Sequence, residues 1–166
     1  RVAIIGMGNS AMDVARTVIR HGARAVTLFA RGLASNASEH ETAYARLDGA
    51  AFEFGKQIAE ITDNGPVFEN ILYDEEGNQT GVDEKMEQIY ADSTIISISQ
   101  GPKSKLVNTT EGLKASPNGL LMTDENGQTT IPGIFASGDV VLGARTVVEA
   151  AAYSKVVAEA MDEYMR

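Results

Sequence analysis

Three residues near the start of the chain, Gly6, Gly8 and Ala11, have the types and the GxGxxA spacing to hold a dinucleotide. Gly6 permits a tight turn. Gly8 lets the backbone approach a phosphate, because a Cβ there would collide with it. Ala11 is small enough for a helix to pack close to the strand before it. Asn9 and Ser10 open that helix, whose unpaired N–H groups and positive dipole end favour a pyrophosphate. Arg31 bears on which dinucleotide would bind. An acidic residue after the second strand would accept hydrogen bonds from the ribose hydroxyls and select NAD. The chain instead reads Ala30-Arg31-Gly32, and Arg31 is suited to pair with the 2′-phosphate of NADP(H). The alternative is a solvated surface arginine with NAD as the nucleotide.

These residues act together only if a β–α–β unit positions them, and the surrounding pattern supplies one. Val2 to Ile5 is an apolar strand running into the glycines. Ala11, Val14, Ala15, Val18 and Ile19 recur at helical spacing. Gly22 ends that helix, and Ala25 to Phe29 forms a second apolar run. This context makes a short glycine motif specific.

Composition narrows the remaining chemistry. The 166 residues suffice for one domain or one domain plus part of another, and 43% hydrophobic content supports a core. A formal charge of −9 argues against nucleic acid as a partner. No stretch reads as a membrane span or a leader peptide, so the cytoplasm is the expected location. With no cysteine, this segment has no CxxC redox pair, thiolate nucleophile or iron–sulfur ligands. The two histidines stand apart: His21 falls at the end of the first helix, and His40 lies between Glu39 and Glu41. No metal site is expected.

Further along, Ser38 and Glu41 match a capping box that opens a helix to about Leu47, closed by Asp48-Gly49. Ala50 to Phe54 alternates like a strand. Ile58 to Thr62 and Val67 to Tyr73 read as strands joined by Asp63-Asn-Gly-Pro66, with a third after the turn at Asp74 to Gln79. Together they form an antiparallel meander inserted into a parallel α/β pattern. Thr94 to Ile98 reads as a buried strand returning to the parallel sheet. Gln100-Gly101-Pro102 breaks the chain, and a short turn is expected near Leu106. Short strands are expected at Leu120 to Thr123 and Ile131 to Ala136. A final helix runs from about Thr146 to Tyr164, with Val148, Ala152, Val156 and Ala160 on one spacing.

Gly6-Met-Gly-Asn-Ser-Ala-Met-Asp-Val-Ala15 resembles the NADPH site of the glutamate synthase small subunit and the related segment of dihydropyrimidine dehydrogenase. Ala45-Arg-Leu-Asp-Gly-Ala-Ala-Phe52 is similar to them as well. Pro132-Gly-Ile-Phe-Ala-Ser-Gly-Asp139, followed by Gly143-Ala-Arg-Thr-Val-Val-Glu-Ala150, resembles the second FAD motif of these two-dinucleotide flavoproteins. The resemblance covers the whole chain. It departs in one place: related sequences often carry two basic residues after the second strand, and here Arg31 stands alone.

The resemblance implies an α/β fold with a Rossmann-like parallel sheet and an inserted meander, in an NADP(H)-binding domain over 1–99. The remainder, 100–166, would be an incomplete C-terminal segment of an FAD-binding domain. It implies that Gly101, Gly138 and Asp139 contact FAD, Asp139 through the ribityl chain. The backbone at Thr146 and Val147 would lie by the flavin pyrimidine. A helix N-terminus there suits an anionic reduced flavin. The implied activity is hydride transfer from NADPH to FAD, with electrons passed to an acceptor protein. No side chain is assigned as acid, base or nucleophile. Because Arg1 abuts the first strand, an excised piece lacking an N-terminal FAD fingerprint is expected. Such a piece would be inactive alone, with apolar surface on its last helix that favours self-association. A non-catalytic nucleotide-binding module, a thioredoxin-reductase-like enzyme and a ferredoxin–NADP-reductase-like enzyme are the alternatives.

Overall fold

The computed structural model describes residues 1–98 and 100–166. Ser99, which closes the first domain in the sequence reading, lies outside the described residues. The chain forms two compact units, Arg1–Ser99 and Gln100–Arg166.

The first unit runs β1 (Val2–Ile5), α1 (Asn9–Arg20), β2 (Val26–Phe29), α2 (Glu39–Leu47), β3 (Ala51–Glu53), β4 (Lys56–Thr62), β5 (Gly65–Tyr73), β6 (Gln79–Gln88) and β7 (Ser93–Ile96). β3, β2, β1 and β7 form a parallel sheet in that order, and β4, β5 and β6 form a separate antiparallel sheet. β1 is apolar throughout because both of its faces are covered. Ile4 packs with Met12, Ala15 and Leu28 on the helix side. Ala3 and Ile5 pack with Phe29 and Phe68 on the other side. The Phe29 and Phe68 rings stack with centroids 4.5 Å apart, so the meander rests on the sheet through an aromatic pair.

Local chemistry sets the helix ends. α1 closes in a Schellman motif: Gly22 N–H donates to Ile19 O and Ala23 N–H to Val18 O. α2 closes the same way through Gly49 and Ala50. On α1, Ala11 and Ala15 are buried as expected, while Val14, Val18 and Ile19 are half-buried and the unforeseen Met12 is fully buried. Small alanines bring the helix close to the sheet, and the flexible thioether fills the space beside them.

Three expectations need correction. The capping box at Ser38 is only half made. Ser38 Oγ accepts from Glu41 N–H at 3.3 Å, but the Glu41 carboxylate pairs with Arg16, and Ser38 N–H donates to Asn9 Oδ1. β7 does rejoin the parallel sheet, but as its edge strand: among the described residues it pairs with β1 alone, and Ile96 and Ile98 are exposed rather than buried.

The third correction concerns the second unit, which holds α3 (Lys105–Thr109), α4 (Asp139–Leu142) and α5 (Val147–Met165). The strands expected at Leu120 to Thr123 and Ile131 to Ala136 are reduced to the isolated bridges Ala115–Leu121, Thr123–Thr129 and Gln128–Phe135. Tight turns at Gly119, Gly127 and Gly133 reverse the chain before a ladder can extend. α5 also rotates from the expected face. Val157 is buried and Ala150, Tyr153 and Ala160 are half-buried, while Ala152 and Val156 are exposed. The helix has apolar stripes on more than one side, and the one that packs fits the turn at Gly127, where an added Cβ would meet Val157 Cγ2 at 2.4 Å.

Candidate functional site: a glycine turn beside an arginine loop

The turn between β1 and α1 is held from both sides of the sheet. Gly6 N–H donates to Phe29 O, and Ser97 N–H donates to Ile5 O. Gly6 has φ +126°, and an added Cβ would lie 2.2 Å from Ser97 O. Both backbone conformation and space therefore require glycine. Gly8 is different. It caps α1 at an ordinary φ of −92°, and an added Cβ would meet no atom of the described residues within 4 Å. Nothing among the described residues demands a glycine at this position, and the open space lies at the helix N-terminus.

The N–H groups of Asn9 and Ser10, the first two of α1, have no acceptor among the described residues. Ala11 and Met12 already bond back to Gly8 O. The first turn of α1 contains no carboxylate, so its positive end is not neutralised. Asn9 serves as a tether, its Oδ1 accepting from Ser38 N–H at 2.8 Å. The Met7 carbonyl accepts from Ser35 Oγ and Asn36 N–H, each at 3.0 Å. The loop after β2 thus closes over the glycine turn. Sequence reasoning missed Ser35 and Asn36, because a serine in a polar loop carries no local signal of such a contact.

Arg31 lies exposed in this loop, and its guanidinium forms no ion pair among the described residues. Its backbone is held: the Arg31 carbonyl accepts a hydrogen bond from the Tyr73 hydroxyl of β5. The glycine turn, the α1 N-terminus and Arg31 all belong to the carboxyl-end side of β1 and β2, where open α/β sheets bind ligands.

The remaining candidates lie in the second unit. Gly101 is exposed in its first residues. Gly138 caps α4 with φ +75°, and Asp139 begins that short helix with its carboxylate exposed and unpaired among the described residues. Thr146 caps α5 in a full capping box. Thr146 Oγ1 accepts from Glu149 N–H, and Thr146 N–H donates to Glu149 Oε2 at 3.1 Å. The Thr146 N–H is therefore already used, and Val147 has the first N–H of α5 without an acceptor among the described residues. Hydrogen bonds from Thr146 and Arg145 pull the Glu149 carboxyl from its ordinary 4.5 to about 2. The Thr-x-x-Glu spacing signals this box, and sequence reading passed over it.

A parallel β–α–β sheet with an open glycine turn facing a carboxylate-free helix end defines a dinucleotide-binding protein. The chain belongs to the pyridine nucleotide-disulphide oxidoreductase family, whose model matches residues 1–155. It is 33% identical to the small chain of the NADPH glutamate synthase of Halomonas elongata, over 99% of this chain and 38% of that one. It is 32% identical to the NAD-dependent dihydropyrimidine dehydrogenase subunit PreT of Escherichia coli O157:H7, over 98% of this chain and 36% of that one. The chain thus spans less than two fifths of either relative. In structure it is similar to T. acidophilum thioredoxin reductase, with a TM-score of 0.77 and 20% identity over 99% of this chain and 52% of that one, a likeness of fold alone. No helix among the described residues is long and apolar enough to cross a membrane.

Proposed function

We propose that the chain is the NADP(H)-binding domain, with an adjoining FAD-domain segment, of a flavin-dependent oxidoreductase similar to the glutamate synthase small subunit. Gly8 carries the reading. Its φ suits any residue and, among the described residues, no atom lies within 4 Å of its Cβ position, which leaves room for a ligand brought close to the backbone. In this reading Gly6, Gly8 and the N–H groups of Asn9 and Ser10 cradle the pyrophosphate, and Ala11 lets the helix approach the sheet. Arg31 pairs with the 2′-phosphate.

Asp139, Gly138, Gly101 and the Val147 N–H contribute one side of an FAD site. The exposed, unpaired Asp139 carboxylate suits ribityl hydroxyls. When bound, the two cofactors supply hydride transfer from nicotinamide to flavin; the chain supplies binding and orientation. The relatives named as a small chain and a subunit support a partner protein that takes the electrons. NAD is the second candidate nucleotide, favoured by the name of the NAD-dependent relative.

The test is anaerobic mixing of the full-length protein with NADPH and, separately, NADH. Bleaching of the flavin band by NADPH, faster than by NADH at equal concentration, supports the reading. A flavin band unmoved by either nucleotide contradicts it.

A further inference from the structure

We propose that Tyr73 is a positioning residue for nucleotide selection: its hydroxyl holds the Arg31 carbonyl and so fixes the backbone from which the Arg31 guanidinium reaches a 2′-phosphate. The inference rests on the reading of Arg31 given above and adds a role for the meander. Three consecutive carbonyls of the loop after β2 are tied down. Ala30 O accepts from Lys56 N–H at 2.9 Å and Gly32 O from Gly55 N–H at 3.3 Å, both donors lying at the corner between β3 and β4. The carbonyl between them, that of Arg31, is met by a side chain from the far end of β5.

The donors are themselves anchored. Gly55 O accepts from Ile71 N–H at 2.7 Å, joining the corner to β5. The Lys56 side chain is only 12% exposed; its Nζ bonds Asn70 at 2.8 Å and pairs with Glu53 and Glu87, joining β3, β5 and β6. The Tyr73 ring lies beside the same corner, with Cε2 3.6 Å from where a Gly55 Cβ would stand. An arginine side chain is long and exposed, so its aim depends on a fixed backbone. A loop ordered before binding loses less freedom when the phosphate arrives. The inserted sheet therefore serves as the brace of the selectivity loop.

Tyr73→Phe keeps the ring and removes only the donor. In the full chain, titrated with NADP⁺ and NAD⁺, this variant is expected to weaken NADP⁺ binding about three- to tenfold while NAD⁺ binding stays unchanged. The ratio of the two Kd values cancels any uniform loss of folded protein. On an Arg31→Ala background the same substitution is expected to have no further effect, because Tyr73 acts through Arg31. Equal weakening of both nucleotides, or an undiminished effect on the Arg31→Ala background, overturns the proposal and leaves Tyr73 structural. No change in the ratio where Arg31→Ala abolishes the preference overturns the brace alone. If Arg31→Ala leaves the preference intact, the reading of Arg31 fails and the brace falls with it.

Discussion

Gly6 and Gly8 stand two apart in one turn, yet the fold constrains them differently, and the difference can be measured. At Gly6 the positive φ and the Ser97 carbonyl both exclude a side chain. Gly6→Ala should cost roughly 2–4 kcal/mol from strain plus overpacking, read by urea unfolding. Arg31 is exposed and unpaired among the described residues, so removing it should leave stability alone. Arg31→Ala should instead cost about ten- to a hundredfold in NADP⁺ affinity, with NAD⁺ affinity unchanged by titration. At this scale the sequence was legible at the spaced glycines, which the structure places in the turn between β1 and α1. Ser35, Asn36 and Tyr73 escaped notice because their roles depend on partners distant in sequence. Tyr73 and Arg31 are 42 positions apart.

The parallel sheet and the meander are separate sheets, joined by the Phe29–Phe68 stack and by hydrogen bonds to the loop after β2. Phe68 is fully buried against Phe29, and the meander's outward residues include the exposed Met86. Phe68→Ala should destabilise the protein by about 3–5 kcal/mol in urea unfolding, because the two sheets lose the stack between them. α5 offers a test in pH. The folded pKa of Glu149 lies at about 2, below its ordinary 4.5. Its capping contribution is therefore complete above about pH 4.5 and is lost as pH falls towards about 2. Far-UV circular dichroism should show a shallower acid loss of helix in Glu149→Gln, whose amide oxygen still accepts a hydrogen bond but does not titrate. The β–α–β unit and the meander were legible because their apolar runs keep one period each and turn residues punctuate them. The second unit was not, because its apolar runs are short and interrupted by turns, and because α5 is apolar on more than one side. Ser38 and Thr146 show the same limit. Both precede a glutamate by three residues, but only Thr146 keeps its glutamate, since Arg16 of α1 draws Glu41 away.

Across the whole molecule, the two compact units divide the proposed work. The first carries a complete glycine-turn β–α–β unit, and the second contributes a loop, a one-turn helix and a capped helix. The family model matches residues 1–155, across both units, and the relatives' names differ in nucleotide; in the proposed reading Arg31 makes the choice. Among the described residues there is one such β–α–β turn, so the 166-residue chain should bind one nucleotide and purify without flavin absorbance. Stoichiometric flavin in the purified chain would show that the second unit holds FAD on its own. The central claim is that the space above Gly8 belongs to a pyridine nucleotide. Calorimetric titration of NADP⁺ into the chain and into its Gly8→Val variant tests this most directly. The φ of −92° suits a valine, and its Cβ would meet no atom of the described residues within 4 Å, so the fold should survive it. The account predicts one-to-one binding to the native chain and no detectable heat from the variant. A variant that titrates like the native chain would place the pyrophosphate elsewhere and contradict the account.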